Sequence, residues 1–320
     1  MSAVTSRPAD ERARRDRRPC AASFLLPLLL ASCTAAPPPT PPPAPTPRPV
    51  PTREVLPKVG LALGGGGARG FAEIGVLRVL EQEKIPISFV AGTSVGSLVG
   101  ALYADTGRVL DAEFHAVSVT EEDLFDYRAL AVFSGGFVKG ERLRQFLGAN
   151  LKSRAIEQMK VPYAAVAVDV AAGKAVVFRR GPVAAAVHAS CAIPGVFVPV
   201  EIAGRTYVDG GVVNPVPADV VRSMGADVVI AVAIPPLAPA SVPANPLAVA
   251  YQSVTIMSAE IGRLRAREAD VVVTPEVGDV PYDDFTQKKR LIAAGEEAAR
   301  RSLPQIRAAL AARTRRVPVS

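Results

Sequence analysis

From residue 58 onward, short apolar runs alternate with longer stretches of helical periodicity. Residues 59–63 (VGLAL) predict a buried strand. In residues 71–81 the apolar positions recur at helical spacing, with Ile74, Leu77, Val79 and Leu80 turned inward. Residues 87–91 predict a second buried strand and 94–103 a second helix. Residues 163–170 predict a third strand, paired as a hairpin with 174–178 across Ala171-Ala172-Gly173. A helix is expected over 182–190. The β-rich runs 227–233 and 270–274 are separated by a helical stretch at 246–267, and a helix over 287–313 closes the chain. Strands separated by helices predict an α/β domain with a mostly parallel sheet covered on both faces. No internal repeat and no second folded domain is apparent. Residues 124–139 carry Phe125, Tyr127, Phe133 and Phe137 around Gly135-Gly136, and suit either a lid or ordinary core.

The first 57 residues read differently. Arginines cluster before residue 19, and an apolar run over 21–31 is broken only by Ser23 and Pro27. A run this short cannot span a bilayer, which takes about 20 apolar residues, but it suits the core of a signal peptide. It ends in Leu30-Ala31-Ser32-Cys33, which resembles the lipobox of bacterial lipoproteins. That resemblance implies cleavage after residue 32 and diacylation of Cys33. The pairs Arg14-Arg15 and Arg17-Arg18 hint at twin-arginine export, though the residues after them fit poorly. Ten of the residues 34–51 are prolines, so no core can form there and a semi-rigid spacer is expected. The expected organisation is a signal peptide at 1–32, an acylated cysteine and tether at 33–56, and one domain at 57–315. Thr34 is not the Asp that marks inner-membrane retention in enteric bacteria. The expected location is therefore the cell envelope, lipid-anchored, on the periplasmic face of the outer membrane.

Composition adds limits. The chain has 320 residues, enough for one large domain, and a formal net charge of +7. Without residues 1–32 it is only mildly basic, which suits an anionic membrane surface and is too weak to argue for nucleic acid. Of the three cysteines, only Cys191 would remain unmodified, so no intramolecular disulfide is expected.

Three segments carry chemistry. The first is Gly64-Gly65-Gly66-Gly67-Ala68-Arg69-Gly70, between the first strand and its helix. Its backbone can approach a ligand closely and present N–H groups to an anion. A dinucleotide fingerprint would need an acidic residue ending the second strand, and a phosphate-binding P-loop would need Gly-Lys-Ser/Thr. Neither is present, which leaves an oxyanion hole. The second is Gly92-Thr93-Ser94-Val95-Gly96, a G-x-S-x-G nucleophile elbow placed between a strand and a helix. The third is Asp209-Gly210-Gly211, which follows the run 205–208. A serine nucleophile needs a base, and the chain has only two histidines. His115 sits in a polar helical segment. His188 lies between Ser94 and Asp209, where a Ser-His-Asp triad is conceivable beside a packing role.

Together these segments resemble the patatin-like phospholipase family over most of residues 59–234. The blocks are Gly65 to Gly70 for G-G-G-x-R/K-G, Gly92 to Gly96 for G-x-S-x-G, and Asp209 to Gly211 for D-G-G/A. Between the last two lies A-S-x-A-x-P-x-x-F-x-P, here starting at Ala189-Ser190-Cys191 and reaching Pro199. The resemblance implies a three-layer α/β/α fold and a Ser94–Asp209 catalytic dyad. It also implies an oxyanion hole from the amides of Gly65, Gly66, Gly67 and Ala68, with Arg69, Gly70, Gly92, Gly96, Gly210 and Gly211 as motif positions. Glu73 stands where bacterial members often carry His, and is not expected to touch the chemistry. The implied activity is hydrolysis of lipid acyl esters, of phospholipase A or lysophospholipase type, without cofactor or metal. The expected partners are a lipid substrate and a membrane, with no protein partner. The rival class is a non-catalytic lipid-binding or scaffolding lipoprotein with a vestigial site, which the intact Ser94, Asp209 and glycine loop argue against.

Overall fold

The structure is a computed structural model and describes residues 52–124, 126, 138–236 and 245–318. The expectations for residues 1–51, including Cys33, and for most of the aromatic segment 124–139 lie outside the described residues. Among the described residues, β1 (Thr52–Val55) and β2 (Val59–Leu63) are followed by α1 (Phe71–Gln82), β3 (Ile87–Thr93) and α2 (Val95–Thr106). Then come α3 (Val109–Ser118), α4 (Glu121–Leu124), α5 (Glu141–Asn150), β4 (Tyr163–Asp169), β5 (Lys174–Phe178) and α6 (Val183–Ser190). The remainder is β6 (Val200–Ile202), β7 (Arg205–Asp209), α7 (Ala218–Ser223), β8 (Val228–Val232), α8 (Pro246–Ala266), β9 (Val271–Val273), α9 (Lys288–Arg313) and β10 (Arg315–Pro318). β1 pairs with β10 in antiparallel register from Thr52–Pro318 to Val55–Arg315.

The central sheet runs β6-β7-β4-β3-β2-β8-β9, with β5 also paired to β4. β9, β8, β2, β3 and β4 are mutually parallel, while β5, β6 and β7 enter antiparallel. The sheet is thus mixed and mostly parallel, with helices on both faces. Alternating residues of each strand feed two cores, as a pleat of period two requires. Leu61, Leu63, Val90, Ile230 and Val232 face α1, α2 and α9, whereas Ala62, Ala91, Val229 and Ala231 face α7. The second face is built of small residues because α7 lies close. A Cβ on Gly60 would fall 2.0 Å from the Val221 side chain.

One feature of the topology positions the site. Ala165 to Val166 pair with both β3 and β5, and Ala167 to Asp169 with both β7 and β5. β3 and β7 therefore share one edge of β4, run toward each other, and meet end to end. The residues at that junction are Thr93, which precedes Ser94, and Asp209.

Candidate active site

β2 is fully buried between β3 and β8, and its carboxyl end delivers the glycine loop. Gly64 N–H bonds to Val232 O at 3.0 Å, Gly65 N–H to Pro215 O at 3.0 Å, and Ala68 N–H to Tyr282 O at 2.6 Å. The amides of Gly66 and Gly67 make no hydrogen bond among the described residues, so they alone of the four remain available to an oxyanion. A side chain is excluded at both. A Cβ on Gly66 would lie 2.7 Å from Ile234, and Gly67 has φ +59 and would press on Tyr282 O at 2.4 Å.

Ser94 sits at φ 54, ψ −130, a strained conformation for a residue with a side chain. It turns the chain from β3 into α2 and is held from several sides. Its N–H bonds to Ser190 Oγ at 2.9 Å, and Ser190 in turn donates to Val166 O at 2.6 Å. Ser97 Oγ donates to Ser94 O at 2.7 Å, and Thr93 Oγ1 donates to Asn214 O at 2.8 Å. The motif glycines are explained by crowding. A Cβ on Gly92 would lie 2.1 Å from Gly96 O, one on Gly96 2.4 Å from Leu63 O, and one on Gly70 2.5 Å from Val95.

Asp209 ends β7, with its N–H bonded to Ala192 O at 2.8 Å. Its carboxyl is 5% exposed; Oδ1 accepts Gly211 N–H at 2.7 Å, and Oδ2 has no hydrogen bond of normal geometry. Burial pushes its pKa up to about 6, while the nearby Ser94 hydroxyl and the Gly211 N–H hold it down. Gly210 allows the turn into Ser94's neighbourhood, since a Cβ there would meet Val166 O at 2.3 Å and Thr93 at 3.1 Å. Gly211 Cβ would approach Asp209 Oδ1 at 3.0 Å.

Ser94, Asp209 and the glycine loop open onto one cavity of about 590 Å³. Its walls are mostly apolar, with Ile193, Val216, Ile234, Val254 and Val272 among them. Arg69 lines it as well. Its guanidinium folds back so that Nε donates to Gly66 O at 3.1 Å and Nη1 to Pro235 O at 2.9 Å. His188 does not line this cavity. It is buried in α6 against Gly140, where a Cβ would lie 2.1 Å from the imidazole Nε2. His115 is half-buried in α3, with its ring against Phe114. Cys191 is buried, its Sγ 3.8 Å from Ser97 Oγ, and burial raises its pKa.

Residues 61–222 match the family model described as patatin-like phospholipase. The chain belongs to the patatin-like phospholipase family. All four sequence blocks of the resemblance fall inside the match. An uncharacterised NTE family protein of Mycobacterium tuberculosis is 40% identical over 178 residues, which are 56% of this chain and 49% of that protein. Patatin-like phospholipase domain-containing protein 7 of Rattus norvegicus is 36% identical over 185 residues, 54% of this chain and 13% of that protein. The chain thus spans about half the length of the mycobacterial relative. Among solved structures, VipD from Legionella pneumophila superposes with TM-score 0.44 at 13% identity, covering 82% of this chain and 68% of VipD. The type III effector ExoU gives TM-score 0.42 at 15% identity, covering 83% of this chain and 56% of ExoU.

Some patatin-like site residues were hidden in the sequence. Ser190 appeared only as a letter of a motif, yet it fastens the elbow to β4. Asn214 O and Tyr282 O, which hold Thr93 and Ala68, act through backbone carbonyls that no residue type betrays. Tyr282 and Tyr251, on the cavity wall, lie beyond the family match.

Proposed function

We propose that this protein is a serine hydrolase of lipid acyl esters, of phospholipase A or lysophospholipase type, working through a Ser94–Asp209 dyad. The observation that carries the reading is a strained, clamped serine beside a buried carboxyl that has no competing basic partner. Asp209 accepts the Ser94 proton as Oγ attacks the ester carbonyl. A carboxylate of ordinary pKa is a weak base, and desolvation to about 6 strengthens this one while leaving it ionised near neutral pH. The Gly66 and Gly67 amides stabilise the tetrahedral oxyanion; one such donor is typically worth about 2.7–4 kcal/mol. The alcohol or lysolipid leaves, and water hydrolyses the acyl-serine. The apolar cavity supports a long acyl chain.

The test is a fluorophosphonate label with mass mapping, beside an esterase assay on short and long acyl chains. Label is expected on Ser94, and Ser94→Ala should lose both label and turnover while staying folded. Retained turnover in Ser94→Ala would sink the proposal.

We also infer a lipid anchor at Cys33 and a place in the cell envelope, on the periplasmic face of an outer membrane. The apolar run, the Leu30-Ala31-Ser32-Cys33 sequence and the proline-rich spacer support this. Cys33→Ala should abolish acylation and shift the protein out of the membrane fraction. Undiminished membrane partition of that variant would overturn the anchor.

A further inference from the structure

One short turn after β7, residues 209–216, ties the parts of the candidate site together. Asp209 opens it. Asn214 O receives Thr93 Oγ1 from the elbow at 2.8 Å, and Pro215 O receives Gly65 N–H from the glycine loop at 3.0 Å. Inside the turn Gly211 N–H donates to Asp209 Oδ1 at 2.7 Å, which leaves Oδ2 as the carboxyl oxygen without a partner. The Asp209 carboxyl is therefore placed only as firmly as Gly211 is.

The backbone of the turn does not hold Gly211 by itself. Asn214 N–H and Val213 N–H both go to Gly210 O, at 2.8 Å and 3.1 Å, and the next residue, Pro215, has no N–H to give. Gly211 O needs a donor from elsewhere. Ser258, in the middle of α8, provides it, with Oγ donating at 2.8 Å. One helical turn later Gly262 lies against the same segment, where a Cβ would stand 3.5 Å from Pro215. α8 thus braces the turn at two points, one by a hydrogen bond and one by packing.

Ser258 differs from the other hydroxyl residues beside it on the helix. Ser253 Oγ donates back to Val249 O at 2.8 Å and Thr255 Oγ1 to Tyr251 O at 3.0 Å, the usual way a hydroxyl is satisfied inside a helix. Ser258 donates to Gly211 instead. Among the described residues no other side chain of α8 makes a hydrogen bond beyond the helix and its flanking turns. Gly262 and Ala266 are the only buried residues described in that helix, so core packing does little to fix its middle. Ser258 also lies outside the stretch matched by the family.

We propose that Ser258 is a positioning residue: by holding Gly211 O it keeps Gly211 N–H on Asp209 Oδ1 and leaves Oδ2 for the Ser94 hydroxyl. The proposal rests on the hydrolase reading above and adds a residue to it. Its consequence is readable in the pH dependence. Gly211 N–H favours the ionised carboxyl and so holds the pKa of Asp209 down against burial. A loosened turn weakens that bond and lets the pKa rise. The other groups around Asp209 do not titrate in this range. Cys191, at the end of α6, and Tyr251, on α8, are both raised by burial and stay protonated. Arg69, on the glycine loop, lines the same cavity and keeps its charge, and β4 sets only Ala167 opposite Asp209.

The experiment follows the full chain on a soluble short-chain ester over a pH series. Ser258→Ala should lower kcat about three- to tenfold, the effect of one hydrogen bond, with KM unchanged. The acid limb of kcat/KM should move up from its place near 6 by about 0.5–1 pH unit. The rate of fluorophosphonate labelling at Ser94 should show the same displacement. Ser258→Thr keeps the hydroxyl and should recover most of both effects. Ser253→Ala removes an exposed hydroxyl of the same helix and should behave as the parent. A second arm is independent of turnover. Carboxyl carbon NMR titrates Asp209, assigned against Asp209→Asn, and its pKa should rise in Ser258→Ala. A folded Ser258→Ala with the limb and the Asp209 titration both unmoved would overturn the proposal. So would a loss confined to KM, which would mean that Ser258, on the cavity wall, touches the substrate instead. An equal loss in Ser253→Ala would overturn it too, by tracing the effect to the helix as a whole. Turnover persisting in Ser94→Ala would instead overturn the hydrolase reading and leave the Asp209 titration to judge Ser258.

Discussion

Asp209 and Glu73 are both carboxyls taken out of water, at opposite ends of one structural idea. Each has a pKa raised chiefly by burial, and each has an oxygen with no hydrogen bond partner. Glu73 is the more extreme, with no exposure and neither oxygen paired. It sits in the first turn of α1, near the Gly64 backbone, where side chains lean toward the helix N-terminus. There α1 and α9 touch through their backbones; a Cβ on Gly75 would fall 2.0 Å from Ile292 O, and one on Gly295 1.8 Å from Ala72 O. Solid packing surrounds Glu73, and it has no place on the cavity wall. Asp209 faces a cavity and the Ser94 hydroxyl. A perturbed carboxyl is thus a sign of burial first, and of chemistry only where a substrate can reach it.

Replacing Asp209 should break the comparison most sharply. Asp209→Asn keeps the shape and the bond to Gly211 but removes the proposed base, so turnover should fall about 10²–10⁴-fold. Stability should move the other way. A carboxyl whose folded pKa rises from 3.8 to about 6 favours the folded state at low pH and loses that benefit as pH climbs through this window. At neutral pH the cost is on the order of 3 kcal/mol. The amide escapes it, so the variant's Tm should exceed that of the parent above pH 6 and the gap should close near pH 4. A Tm that falls together with activity at every pH would mean that Asp209 serves the fold.

The same value fixes the acid limb of the rate. A base must be ionised, so kcat/KM should fall about tenfold per pH unit below a pKa near 6. An unfolded-like Asp would place that limb near pH 4. A pH series of kcat/KM on a soluble ester separates the two.

Much of this contrast was legible in the residues, for a physical reason. The strands at 59–63 and 87–93, the hairpin of β4 and β5 and the long helices α8 and α9 have local periodicity that survives packing. The glycine loop and the elbow announced themselves because only glycine tolerates those contacts. The pieces that escaped depend on long-range pairing. β6 is three residues long, and β10 finds its partner at the other end of the described chain, with Arg315 opposite Val55 and Pro318 opposite Thr52, so neither has a local signal. α5 and α7 are short helices with Gly148 or a nearby Pro217, and no long stripe marks them. The departure at Glu73 was visible, but its burial was not, because α9 arrives from more than 200 residues away. Which loop amides stay free was likewise invisible, since Pro215 O and Tyr282 O decide it.

Glu73 offers a smaller test of the same contrast. Glu73→Gln removes an ionisable group without changing the packing, so turnover should stay within about threefold of the parent. Stability linked to a raised carboxyl is present below its ordinary pKa and is lost as pH rises. The parent's Tm should therefore drop more steeply than the variant's between pH 5 and pH 9, as thermal melts across that range would record. A hundredfold loss of turnover in a folded Glu73→Gln would place Glu73 in the chemistry after all.

The smallest effect is expected at His188, and it decides between dyad and triad. His188 is 5% exposed, and both ring nitrogens lack hydrogen bonds of normal geometry. Burial, then Arg144, lowers its pKa, while Glu141, the Lys139 backbone and Asp126 oppose them. It is a neutral packed ring against Gly140, and the residue of α6 that reaches Ser94 is Ser190. His188→Gln should therefore change kcat/KM less than about threefold and cost roughly 1 kcal/mol in packing. The sign of the linkage gives a second reading of the same variant. A histidine whose folded pKa is depressed destabilises the fold as pH falls through its unfolded value of about 6.5. Gln does not titrate, so the stability deficit of the variant should be largest near neutral pH and shrink below pH 6.5. A triad demands the opposite kinetics, because the imidazole would carry the proton and Asp209 would only orient it. A folded His188→Gln that loses both turnover and fluorophosphonate uptake at Ser94 would reject the dyad.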